Sequence, residues 1–142
     1  MKLRIITVGE PKLQYAKLGW EEYWNRLKHY HDLRAIHILD KHNDARHILE
    51  AAQGSYAIAC DIGGEQFSSN ELAGFLEKRA QQGRELSFLV GGPDGLPPEV
   101  RAKADFKWSF GQLTLPHDLA MVTLLESLYR ASTINAGRPY HR

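Results

Sequence analysis

Three segments of this chain combine residue types and spacings that can do chemistry. The first is Gly91-Gly92-Pro93-Asp94-Gly95, three glycines and a rigid proline within five residues. Glycines permit positive φ and close approach of backbone to a ligand, so the segment is either a ligand-cradling loop or a tight strand-to-helix turn. It is no P-loop, because no Gly-Lys-Ser/Thr follows, and it lacks the Gly-x-Gly-x-x-Gly spacing of a dinucleotide site. The second is Gly111-Gln112-Leu113-Thr114-Leu115-Pro116-His117. Leucine walls with main-chain N–H and C=O groups can line an adenine-sized slot; the alternative is an ordinary loop with its leucines tucked into the core. The third is the C-terminal stretch. Glu126 and Arg130 stand i, i+4 and can pair on a helix. No acid occurs after Glu126, while Arg130, Arg138, His141 and Arg142 follow. Frayed basic termini are common, but Pro139, Tyr140 and His141 are poor choices for a purely solvating tail.

Other chemistries find little support. The histidines (His29, His31, His37, His42, His47, His117 and His141) contain no i, i+4 pair and no His-Glu-x-x-His, and Cys60 stands alone. No dedicated zinc site is expected. A Ser-His-Asp triad has no Gly-x-Ser-x-Gly to support it. A single cysteine cannot form an internal disulfide, which fits a reducing, cytoplasmic compartment.

The elements that must position these segments follow from hydrophobic periodicity. Leu3, Ile5, Ile6 and Val8 make a short strand ending at Gly9-Glu10-Pro11. The i, i+3, i+4 spacing of Trp20, Tyr23, Trp24 and Leu27 marks a helix over about 12–30. A second strand covers 33–39, and a helix is expected over 41–53 with Gly54 as its stop. Tyr56 to Ile62 is a third strand, apolar nearly throughout, as in strands covered on both faces; Gly63-Gly64 is expected to turn the chain. Ser68 or Ser69 caps the next helix. A fourth strand, 86–90, runs into the glycine segment. A short helix over 98–104 and a fifth strand near 106–109 follow, then a last helix over 117–135 whose apolar residues cover more than one face. That pattern implies packing on the sheet and on a second subunit. Strand and helix alternate five times, so the expected fold is α/β, one domain over residues 1–142, with a mostly parallel sheet and helices on both faces. No stretch approaches the roughly 18 apolar residues of a membrane span. The 18 Lys+Arg against 17 Asp+Glu leave a net charge of +1, which excludes grip on nucleic acid by bulk charge alone.

Taken in order, Gly91-Gly-Pro-Asp-Gly95, Leu113-Thr-Leu-Pro-His117, Glu126-Ser-Leu-Tyr-Arg-Ala131 and Pro139-Tyr-His-Arg142 resemble the SPOUT-class (α/β-knot) methyltransferases. Within that class they resemble the small family that modifies pseudouridine at N3 in large-subunit ribosomal RNA. The resemblance spans essentially the whole chain, including the opening Met1-Lys-Leu and the Val8-Gly9 turn. It implies a C-terminal trefoil knot, against the general rule that chains do not thread, and S-adenosylmethionine held in the knotted loops. It also implies a homodimer joined through the last helix, an active site formed between subunits with one tail completing the other's cofactor pocket, and ribosomal RNA in the assembled ribosome as substrate. The implied cofactor contacts are Cys60, Gly91, Gly111, Gln112, Leu113, Thr114, Leu115 and Pro116. The family more often carries leucine at the position of Cys60 and glutamate at that of Asp94. The implied chemistry falls to His141 and Arg142, with Tyr140 shaping the pocket, and RNA contact to Arg130, Arg138 and Arg142. No metal is implied.

Overall fold

The computed structural model describes residues 1–142. Its sheet is built from β1 (Lys2–Val8), β2 (Asp32–Ile38), β3 (Tyr56–Gln66), β4 (Leu86–Val90) and β5 (Phe106–Ser109), in the order β2-β1-β4-β3-β5. Every pairing is parallel. The central strand, β4, is buried along its whole length, as its unbroken apolar run requires.

Successive side chains on a strand point to opposite faces, and here each face feeds its own core. Leu3 and Ile5 of β1 with Leu86 and Phe88 of β4 pack beneath α1 (Gln14–Leu27), α3 (Ser69–Gln81) and α5 (His117–Asn135). Ile6, Val8 and Leu89 face the other way, toward α2 (Ala45–Ala51) and α4 (Pro98–Lys103), and meet Ile48 and Val100. Each such large side chain, fully buried, contributes about 1.5–3 kcal/mol relative to exposure. The two layers of helices on a parallel sheet match the expected class.

Helix α5 lies in the groove between α1 and α3. Met121, Leu124, Leu125, Leu128 and Ala131 are fully buried there, while Val122, Thr123, Glu126, Ser127 and Arg130 form a half-buried strip. Its first turn is fixed by Asp118, a buried carboxylate that accepts the N–H groups of Lys12 (2.8 Å) and Leu13 (2.6 Å). The loop after β1 is thereby tied to the start of α5. Near its other end, Ser132 Oγ lies 2.8 Å from His31 Nε2, and burial pushes that imidazole down to about 4. It is a neutral packing group.

Two local expectations need correction. The single helix over 41–53 is a 3-10 turn (Asp40–His42) followed by α2. Asp44 is extended between them (φ −141°, ψ 162°) and caps α2 by accepting the His47 N–H. An aspartate at that point competes for backbone donors better as a cap than as an interior residue. Gly63-Gly64 does not end β3 either. The strand continues to Gln66, with the register against β5 shifting between Cys60 and Glu65. A Cβ on Gly64 would lie 2.5 Å from the Lys107 carbonyl carbon, so the glycine lets the two backbones meet at the bulge. The expected cap at Ser68 is present, with Glu71 completing a capping box.

Candidate functional site

The carboxyl ends of β3, β4 and β5 surround a cavity of about 260 Å³, at the edge where parallel sheets bind ligands. Three separated segments form it: Cys60 to Ile62, Val90 to Leu96, and Phe110 to His117 with Ala120 behind them. The glycine loop turns back on itself. The Gly95 N–H donates to the Gly92 carbonyl at 2.9 Å, and Gly95 adopts φ 82°. A Cβ on Gly91 would stand 2.4 Å from the Gly95 carbonyl carbon, so only glycine lets the loop close. The opposite wall is pinned by Ser109, whose hydroxyl accepts the Gly111 N–H (3.1 Å) and donates to the Gly111 carbonyl (2.9 Å). With Gly111 at φ 133°, the following residues swing out over the mouth. Leu113 is 82% exposed and Ile62 is 56% exposed, two large apolar side chains at the rim.

Charge inside the cavity is sparse. Cys60 is half-buried, and burial followed by the neighbouring Asp61 pushes its thiol up, away from the nucleophilic thiolate. It serves as apolar wall. Asp61 is the cavity's carboxylate, 3.7 Å from Arg101. Ile62, Val90, Leu96, Phe110, Leu113, Leu115 and Ala120 supply further apolar surface.

The C-terminal tail is built elsewhere. Glu126 accepts from Arg130 (3.0 Å) and from the Tyr140 hydroxyl (3.1 Å). The Tyr140 ring sits edge-on to Tyr129 at 4.7 Å and under the Arg130 guanidinium at 4.6 Å. Burial, then Tyr23 and Glu126, push the phenol up, so it stays a donor. His141 Nδ1 lies 3.5 Å from Arg130, and the Arg138 N–H closes the helix end on the Thr133 carbonyl (2.9 Å). Arg138 and Arg142 are exposed. Helix rise is about 1.5 Å per residue, so Glu126 and Arg130 stand roughly 9–15 Å along α5 from Ala120, the nearer cavity residue on that helix. No residue of the tail lines the cavity of its own chain.

The sequence model described as "Predicted SPOUT methyltransferase" matches residues 1–141. The chain belongs to the SPOUT methyltransferase family. Among curated relatives, the Ribosomal RNA large subunit methyltransferase H of Deinococcus deserti is 51% identical over 145 residues, covering 100% of each chain. The protein of the same name from Thermus thermophilus is 39% identical over 142 residues, covering 100% of this chain and 99% of the relative. Of the solved structures, a probable methyltransferase from Bordetella pertussis superposes with TM-score 0.57 at 12% identity, covering 92% of this chain and 95% of its own. A probable methylase family protein from Haemophilus influenzae gives TM-score 0.59 at 12% identity, over 99% and 70%. At such identities the structures bear on the fold alone.

Membership of the SPOUT family implies the C-terminal trefoil knot of that class. Of the eight residues expected at the cofactor, Cys60, Gly91, Gly111, Leu113, Thr114 and Leu115 line the one cavity. Gln112 is exposed, and Pro116 sits outside the lining as the N-cap of α5. Beyond the rest of the glycine segment, Asp61, Ile62, Val90, Leu96, Phe110, His117 and Ala120 also line the cavity and were not among the expected cofactor contacts. The first two follow Cys60 on β3, and the strand's continuation past Ile62 was the missed signal. His117 opens α5 beside Pro116, where the SPOUT motif had already drawn attention.

Proposed function

We propose that this protein transfers a methyl group from S-adenosylmethionine to N3 of a pseudouridine in large-subunit ribosomal RNA, on the assembled ribosome, as a single-domain homodimer in the cytoplasm. The observation that carries the proposal is the gathering of three distant segments into one cavity at the carboxyl edge of a SPOUT sheet. The full-length identity to relatives named for large-subunit ribosomal RNA supports the substrate. No helix is long and apolar enough to cross a membrane.

The cavity suits the cofactor. Its walls are apolar around Leu113, Leu115, Ile62 and Val90, as a purine ring requires. Backbone kept bare by Gly91 and Gly111 can meet polar edges, and Asp61 offers a carboxylate to a hydroxyl or an ammonium group. When bound, S-adenosylmethionine supplies an electrophilic methyl on a sulfonium sulfur. The chain's own residues must then align the base and deal with its proton. N3–H of pseudouridine lies between two carbonyls, and methylation there requires loss of that proton. An imidazole is suited to accept a proton near pH 7, and His141 is assigned that step. Arg142 steadies the negative charge that the base's carbonyl oxygen gains. Tyr140 shapes the pocket, and Arg130 and Arg138 contact phosphate or base.

Because the tail stands apart from its own cavity, the complete site is assigned to two copies, each tail serving the other's cavity. The half-buried strip of α5 and the exposed Leu113 and Ile62 support burial against a second subunit.

Intact ribosomes, separated subunits and naked RNA, each incubated with enzyme and labelled S-adenosylmethionine, test the substrate. Label is expected on intact ribosomes and not on naked RNA, and the digested product is expected to have the mass and retention of N3-methylpseudouridine. A different methylated nucleoside, or equal labelling of naked RNA, contradicts the proposal.

A further inference from the structure

On the far side of the glycine loop, the corner between β2 and α2 collects three metal-ligating side chains. One ligand atom from each of His42, Asp44 and His47 lies within 4.8 Å of the others. The corner is made by the 3-10 turn ending at His42, an Asn43 link, and the Asp44 cap of α2. These bends bring the His42 and His47 rings together, centroids 4.1 Å apart and 20° from parallel. His47 Nδ1 lies 2.8 Å from Asp44. The pair was invisible to the i, i+4 search because the chain between the two histidines is not one helix.

We propose that His42, Asp44 and His47 bind one borderline divalent transition-metal ion of the zinc class, with water completing its coordination. Two imidazoles and a carboxylate are a ligand set such ions prefer, whereas calcium and magnesium take oxygen ligands. Zn–N and Zn–O bonds of about 2.0–2.2 Å in a tetrahedral site put ligand atoms roughly 3.3 Å apart. The 2.8 Å contact between His47 and Asp44 is close to that, and the widest separation, 4.8 Å, closes by side-chain rotation. The ion takes the place of the proton shared by His47 and Asp44, and that proton is released to solvent. The first turn of α2 carries partial positive charge and works against a cation, and Arg46 adds to this. The negative Asp44 offsets both, so binding is of moderate strength and needs all three side chains.

The site has a neighbour of consequence. Asn43, between two of the ligands, places Nδ2 3.5 Å from where a Gly92 Cβ would stand. An ion held at 42, 44 and 47 would therefore brace the segment packed behind the glycine loop. The site lies outside the methyl-transfer machinery, and its test reads metal rather than turnover.

Titration of the metal-stripped full-length protein with zinc chloride alone, by calorimetry, is expected to show one ion per chain with micromolar affinity. Cobalt(II) substitution should give the visible absorption of a tetrahedral nitrogen–oxygen site. His42→Ala and His47→Ala are each expected to weaken binding by about tenfold or more, and the double variant to abolish it. His29→Ala, at an exposed histidine away from the cluster, should bind as the parent does. The affected side chains are half-buried, and unchanged melting temperatures in the absence of metal will show that the variants are folded. Absence of zinc binding up to roughly 100 μM, or binding that survives the double substitution, overturns the proposal.

Discussion

His141→Ala and Arg142→Ala are each expected to reduce methyl transfer by about a hundredfold or more, while S-adenosylmethionine still binds with parental affinity. The two halves of this result come from the two ends of α5. Cofactor-lining residues stand at its N-terminus, and the tail folds back on Glu126 and Arg130 near its C-terminus. Deleting an imidazole or a guanidinium from the tail leaves Gly91, Leu113 and Leu115 untouched. The tail's anchorage survives as well, since Tyr140 keeps its bond to Glu126 and its edge contact with Tyr129. Calorimetry with the cofactor and single-turnover labelling of ribosomes measure the two quantities separately. Normal turnover in both variants would remove the tail from the chemistry. Loss of cofactor binding in either would mean that the tail builds the cavity rather than serving the base.

Gly91→Ala is expected to do the reverse, lowering cofactor affinity by more than tenfold through the loop that holds it. The added methyl meets the backbone carbonyl carbon of Gly95 at 2.4 Å and the Leu96 nitrogen at 2.5 Å. No rotamer relieves a clash with backbone, so the 91–96 loop must open. Overpacking of this kind costs about 1–3 kcal/mol, which a domain with cores on both faces of its sheet can tolerate without unfolding. The variant should therefore melt several degrees lower yet fold, with its defect concentrated in cofactor binding. Parental affinity in a folded Gly91→Ala protein would show that the loop does not have to close around Gly91 for the cofactor to bind.

The layer structure was legible because period-two and period-3.6 patterns leave little freedom in a five-strand parallel sheet. Leu3 and Ile5 alternate with Ile6 in sequence as they do in space. The glycine loop was legible for a similar reason, since three glycines beside a proline at a strand's end have few uses. The bulge at Gly64 was not, because it depends on the backbone of β5, forty residues away, meeting β3 at Lys107. The grouping of His42 with His47 was hidden too, since Asp44 leaves the helical conformation to cap α2 and no spacing rule covers that bend. Least legible was the distance between tail and cavity. The resemblance placed the site between subunits, one tail completing the other's pocket; the fold adds that Glu126 and Arg130 stand roughly 9–15 Å along α5 from the lining residue Ala120 in one chain.

That separation is the central claim in measurable form, and mixing subunits tests it. Gly91→Ala protein, with its tail intact, and His141→Ala protein, with its cavity intact, are each strongly impaired alone when cofactor is held well below the dissociation constant of the Gly91→Ala variant. After dissociation and random re-pairing, half the dimers are mixed, and each mixed dimer regains one intact cavity served by one intact tail. Activity of about a quarter of the parental value is expected for a two-fold dimer. Activity no higher than that of either impaired variant, in a mixture shown to contain mixed dimers, would contradict a site built from two copies.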